Sequence, residues 1–247
     1  MPSKKPKLRG HKPTRLSTHD LGDFSRSTIE AISRQIVHRL AIGHTNIAGD
    51  DFSRIFAKAI HAEHREKPLG LADVVWENCG WSAKTLQHKT PHAAKTIRLI
   101  SGRNSPSYSC GIENPHENVQ KTGSAVLKIW NARIDESLKE HDELRVVIFV
   151  RNMSTLDFVI FEEELVRFQP NDYRWSKNQR DNLVAQHISE GKRCFTWQPH
   201  GSQFTIHKDI SPSAVKFSIA KRPRILEEQH VINLTGFSSD WVRIVGL

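Results

Sequence analysis

The chain has 247 residues, 37% hydrophobic and 26% charged, enough to bury one large core or two small ones. No apolar run approaches the roughly 20 residues that cross a bilayer. The N-terminus MPSKKPKLRGHKPTRLS is charged and lacks an apolar h-region, so neither a transmembrane helix nor a secretory signal is expected.

Cys79, Cys110 and Cys194 stand far apart without CxxC spacing. That argues against a disulfide framework or a paired-cysteine zinc site and fits a reducing, cytoplasmic location. The balance of 36 Lys+Arg against 27 Asp+Glu leaves a formal charge of +9. Residues 1–19 hold Lys4, Lys5, Lys7, Arg9, Lys12 and Arg15 with no acid. Residues 1–22 therefore read as a flexible basic arm able to grip phosphates without specificity, and residues 23–247 as one domain. A second feature is more local. The 35 residues from Asn78 to Ile112 contain no Asp or Glu but carry Lys84, Lys89, Lys95, Arg98 and Arg103, as expected of a surface facing negative charge.

In chain order, Ser25–Ile42 places Ile29, Ile32, Ile36, Val37 and Leu40 at helical spacing, ending at Gly43. A second helix is predicted from Gly49-Asp50-Asp51, whose acids suit a helix N-terminus, to about Glu66 before Pro68. Gly70–Trp76 and Trp81–Gln87 read as a hairpin around Glu77-Asn78-Cys79-Gly80, and Ser101–Asn118 as a loop. Val119–Lys139 returns to helical periodicity, with Val126, Ile129, Trp130, Arg133 and Ile134 on related positions. Leu144–Arg151 reads as a strand buried on both faces. Phe158–Phe168 is a further strand region, interrupted by Glu162-Glu163-Glu164 at what reads as a solvated strand end. Arg193–Gln198 and Ser202–His207 form a second predicted hairpin, with Val215–Ile219 and Trp241–Val245 as short strands. This order predicts an α/β fold: a central mixed β-sheet flanked by helices, with a β-rich C-terminal part from about residue 190.

The chemistry concentrates in the first hairpin. Alternation along a strand puts Ser82 and Lys84 on one face and Ala83 on the other. The turn brings Asp73's strand against theirs, so a carboxylate and an ammonium meet on one side of the sheet. Both sit among Leu71, Val74, Val75, Trp76 and Trp81, where an unpaired charge is costly. A salt-bridged hairpin without metal accounts for the pair; so does a site that uses it.

The segment "LGLADVV…GWSAKT" resembles the core of the PD-(D/E)XK nucleases, the family that holds most restriction endonucleases. There, an Asp on one strand and an acid-x-Lys on the next surround Mg²⁺. The resemblance covers about residues 49–110 and matches Asp73 to the first acid and Lys84 to the lysine. Ser82 stands where the second acid is expected, and Ala72 where the proline would be. It implies a Mg²⁺ ion held by Asp73, the Ala83 carbonyl and one displaced carboxylate. No acid follows Ser82 before Glu113, so the upstream helix is the expected donor. Glu63, three residues after Ile60 on the apolar stripe, ranks first, and Asp50, with Asp51 beside it, second. Asp73, Ser82 and Lys84 are thus the expected catalytic residues.

Expected DNA contacts are Lys89, Arg98, Arg103 and Asn104 in the acid-free stretch, and Gln203 at the tip of the second hairpin. Arg and Asn bind guanine and adenine bidentately in the major groove; an ordinary turn and a hairpin with Trp197 in the core account for the same residues. Neither a P-loop nor a G-x-S-x-G elbow occurs, and His61, Glu63 and His64 lack the spacing of a zinc-protease helix. The implied activity is Mg²⁺-dependent, sequence-specific cleavage of double-stranded DNA to 5′-phosphate and 3′-hydroxyl ends, by a homodimer whose interface involves the helix around Trp130. The alternative is a non-catalytic DNA- or RNA-binding protein using the arm and the acid-free stretch.

Overall fold

The computed structural model describes residues 17–66 and 70–245; the six basic residues of the expected arm lie outside them. Ser25 caps the first helix, α1 (Arg26–Ala41), by accepting the Thr28 N–H, and His38 and Arg39 sit in its last turn, where cations suit the dipole. The second, α2 (Gly49–Ala59), has Asp50 and Asp51 in its first turn and buries Phe52, Ile55 and Phe56. It stops short of the expected end at Glu66. His61 takes a left-handed φ of 56°, and the Ala62 and His61 N–H groups return to the Ala57 and Lys58 carbonyls, which closes a Schellman motif without glycine.

A short strand β1 (Glu63–His64) follows, then the hairpin of β2 (Val74–Trp76) and β3 (Cys79–Gln87), turned at Glu77 (φ 46°) and Asn78. The chain continues through β4 (Thr96–Arg103), a short helix α3 (Pro106–Cys110) and the long helix α4 (Val119–Ser137). Next come β5 (Glu143–Asn152), β6 (Asp157–Glu164), β7 (Tyr173–Lys177), β8 (Leu183–His187), β9 (Arg193–Gln198), β10 (Gln203–Asp209), β11 (Val215–Ser218) and α5 (Glu228–Thr235). Part of the expected loop after Ser101 is thus strand and helix. The expected strand at Trp241–Val245 is absent: a short 3₁₀ turn at Ser239–Trp241 takes its start.

The result is a mixed α/β fold with two sheets. The first has the order β1-β2-β3-β5-β6-β11, in which β3 and β5 run parallel and the other pairs antiparallel. The second, β4-β10-β9-β8-β7, is antiparallel throughout. The C-terminal strands are woven into both sheets: β9 and β10 join the second and β11 the first.

Strand alternation decides what each face of the first sheet covers. Val74, Trp81, Ala83, Val147, Phe149 and Phe158 pack under α1 and α2, where Phe52 stacks on Phe149 at 4.7 Å. The opposite face presents Val146, Ile148, Val150, Val159 and Phe161 to Ile97 and Leu99 of β4. Trp130, Val126 and Ile134 of α4 pack into the inner side of the second sheet with Trp175, Phe195 and Phe204. Trp130 is buried at 3% exposure and donates its indole N–H to the Val166 carbonyl. It is a core residue of the face that α4 turns inward.

Two polar features also depart from expectation. Glu162 is a buried anchor with a fully buried side chain, accepting from Trp81 Nε1 at 2.9 Å and from Arg145 Nη1 at 3.1 Å, with His19 Nε2 at 2.8 Å. Through His19 and the Gly22 N–H it fastens residues 17–22 to the sheet, so that stretch is not part of a loose arm. Among the described residues no helix is long and apolar enough to cross a membrane.

Candidate active site

Register builds the site. Val74 pairs with Trp81, so Asp73, one position earlier, stands opposite Ser82 and shares its face. Trp81 and Ala83 point into the core under α1 and α2, which turns Ser82 and Lys84 toward α4 and β4. There they line a small cavity with Ser101, Trp130 and Val146.

Asp73 Oδ2 collects three groups of β3. The Ala83 N–H donates to it at 2.9 Å, the Ser82 hydroxyl at 3.4 Å, and Lys84 Nζ lies 3.6 Å away. The Asp73 and Lys84 side chains are each 28% exposed, shielded yet open to a ligand. Regular pairing in β2 begins only at Val74, so at Ala83 the neighbour of β3 is a carboxylate instead of a strand. The N–H and C=O of one strand residue point to the same edge, which puts the Ala83 carbonyl beside the Asp73 carboxylate.

The upstream acids sit elsewhere. Glu63 is not on a helix; it is an exposed residue of β1, opposite Val75. Alternation gives it the same face as Asp73, on the side of Asp73 away from Lys84. Asp50 lies at the start of α2, where it accepts from Arg54 Nε at 2.9 Å, with His64 Nε2 at 3.4 Å. The Arg54 hydrogen bond holds its carboxyl below the usual range, against a smaller desolvation effect. Asp51 is paired with Arg39 at 2.9 Å and with the Ala48 N–H. Among the described residues no three His, Cys, Asp or Glu side chains come together as a metal cluster.

A divalent ion here would meet one carboxylate, with Oδ1 making no hydrogen bond among the described residues, and one carbonyl. Mg²⁺ in phosphoryl-transfer sites is held by one or two carboxylates plus substrate phosphates and waters. The donor set fits that minimum, provided a phosphate supplies the oxygens a second acid would give.

Sequence reasoning missed Arg133. Its Nη1 donates to the Ser101 carbonyl at 2.9 Å, and burial lowers its pKa while the nearby Asp73 charge opposes that shift. A charged residue on the core-facing positions of an amphipathic helix was the signal that marked it.

The expected DNA contacts are spread over several elements. Lys89 is exposed in the loop after β3. Arg98 lies on β4 between the buried Ile97 and Leu99, and so projects from the outer face of the second sheet, away from Ser101. Arg103 is exposed at the end of β4, opposite the half-buried Gln203. Asn104 is corrected outright: it is fully buried, its Nδ2 donates to the Val126 carbonyl at 3.0 Å, and its own carbonyl accepts from Trp197 Nε1 at 2.8 Å. It braces the second sheet against α4 and presents no edge to a base. No family model matches the chain, and neither the curated proteins nor the solved structures contain a match.

Proposed function

We propose that the chain is a Mg²⁺-dependent endonuclease of the restriction type, hydrolysing phosphodiesters of double-stranded DNA at the Asp73–Lys84 site. One observation carries the reading: Ser82, the Ala83 N–H and Lys84 converge on one Asp73 carboxylate oxygen at a half-open sheet face. A hairpin stabilised only by an ion pair has no need to place the lysine where the partner strand has ended.

Asp73 and the Ala83 carbonyl would hold the ion. Bound there, it supplies a Lewis acid that polarises a phosphoryl oxygen and acidifies a water. Ser82, buried and neutral, orients Asp73 without adding the charge of the acid that the resemblance places there. Lys84, beside Asp73, positions the attacking water and offsets negative charge as it develops on phosphorus. Water adds to phosphorus and loses a proton, the bond to the 3′ oxygen breaks, and that oxygen gains a proton. The products are a 5′-phosphate and a 3′-hydroxyl.

Asp73→Asn and Lys84→Ala test the reading on plasmid and phage DNA with Mg²⁺. Cleavage is expected to fall by about 10²-fold or more in each, with DNA affinity retained in Asp73→Asn. Wild-type protein that binds DNA but cuts none of the substrates with Mg²⁺ or Mn²⁺ would replace this reading with the non-catalytic one.

A further inference from the structure

Helix α4 ends against the lead-in to β2. Ser137 Oγ accepts the Leu71 N–H at 2.8 Å and donates to the Arg133 carbonyl at 3.0 Å. This fastens the Arg133 turn two residues from Asp73. On the other side, Arg133 Nη1 is held by the Ser101 carbonyl of β4. Gly102 completes the seat: its φ is 116°, and a Cβ there would lie 2.5 Å from Nη1 and 3.2 Å from Cζ and Nη2. The guanidinium is laid on bare backbone and cannot swing that way.

A guanidinium offers five N–H donors. Among the described residues the Arg133 guanidinium makes one hydrogen bond, to Ser101, and no carboxylate lies within 4.0 Å of it. Asp73 is the carboxylate whose charge reaches it, and Asp73 is already engaged with Lys84. Lys84 and Arg133 thus put two cations near the Asp73 carboxylate, and the cavity that Lys84 lines adds Lys208 and Glu164. A half-buried cation with no carboxylate in contact is costly, and its unused N–H groups suit an anion with several acceptor oxygens.

We propose that Arg133 is a phosphate-binding residue of this site, donating its free N–H groups to a non-bridging oxygen of a DNA phosphodiester. Its contribution to cleavage rests on the nuclease reading; its contact with phosphate does not. The planar fork matches phosphate bidentately, which an ammonium cannot do. It also supplies charge compensation that the single carboxylate leaves to the chain.

The test uses the full chain as wild type, Arg133→Ala and Arg133→Lys. Cleavage of plasmid DNA is followed with Mg²⁺, and binding of a duplex is followed in EDTA across a salt series. Arg133→Ala should cut about 10²-fold more slowly, and its log–log salt slope should fall by about 0.9. Arg133→Lys should keep the slope and recover only part of the rate. If wild type cuts nothing but Arg133→Ala still lowers the slope, the nuclease reading fails and the phosphate contact stands. If wild type cuts and Arg133→Ala changes neither rate nor slope, Arg133 is only a strut for Ser101 and the proposal is overturned. Should Arg133→Ala lose its cooperative melt, Arg133→Lys decides: a wild-type rate overturns the proposal, and a reduced rate at unchanged melting temperature supports it.

Discussion

At Glu162 a carboxylate with no exposed side-chain surface is saturated by Arg145, Trp81, His19 and the Gly22 N–H. Such a pair adds little over an apolar one, but removing one member strands the other. Glu162→Ala strands the buried Trp81 indole N–H and leaves Arg145 with Glu143 as its carboxylate partner, so it should cost about 1–3 kcal/mol in denaturant unfolding. His207 makes a pH-dependent contribution. Desolvation, then the charges of Arg193 and Arg98, push its pKa down to about 4, while Thr196 Oγ1 lies 2.8 Å from its Nε2. The folded state therefore keeps it neutral where the unfolded chain, with a pKa near 6.5, takes up a proton. The stability it adds is full above about pH 6.5 and is lost as pH falls toward 4. Melting temperatures from pH 7 to 4.5 should fall less steeply in His207→Gln than in wild type.

Among elements, the hairpin and the long helix were legible because their signals are periodic and local. β3 sets Trp81 and Ala83 against Ser82 and Lys84, β5 holds an unbroken apolar run from Val146 to Val150, and Ser25 and Asn118 cap their helices as side-chain acceptors. The end of α2 was not legible, because a histidine took the left-handed position glycine usually marks. That one turn moved Glu63 from a helix face to a strand. β4 was hidden for a different reason: its alternation is regular, with Ile97, Leu99 and Ser101 buried, but its basic residues drew it into a charge feature. Asn104 shows the limit of reading a loop by composition, since only the tertiary fold reveals what closes over an amide. The tie between α4 and β2 rests on Ser137, which is 4% exposed. Ser137→Ala strands the buried Leu71 N–H and should destabilise the fold by about 1–3 kcal/mol. Because it loosens the seat of Arg133, it should also slow DNA cleavage without changing the residues that meet the substrate.

For the whole molecule, the two sheets share one interior but carry different loads. The first holds Asp73 and Lys84; the second, with α4, closes over them and turns Arg98 outward. A cavity of about 950 Å³ lies by Ser17–Thr28, Ile60, His61, Trp76, Glu143 and Arg145 and does not include Asp73 or Lys84. The proposed site rests on converging donors, not on cavity size. α5 buries none of its residues, and Leu234, Phe237, Trp241 and Ile244 beside it are exposed. Its amides should exchange with solvent well before those of β3 and β5 in native-state hydrogen exchange, which a uniform protection pattern would contradict.

The most direct measurement of the central claim is sequencing of the fragment ends after phage DNA is incubated with Mg²⁺ and either wild-type protein or Lys84→Ala. Wild type should give discrete fragments with shared terminal sequences and 5′-phosphates, and Lys84→Ala intact DNA. Discrete cutting by Lys84→Ala at the wild-type rate, or no cutting by wild type, would contradict a phosphodiesterase built on Asp73 and Lys84.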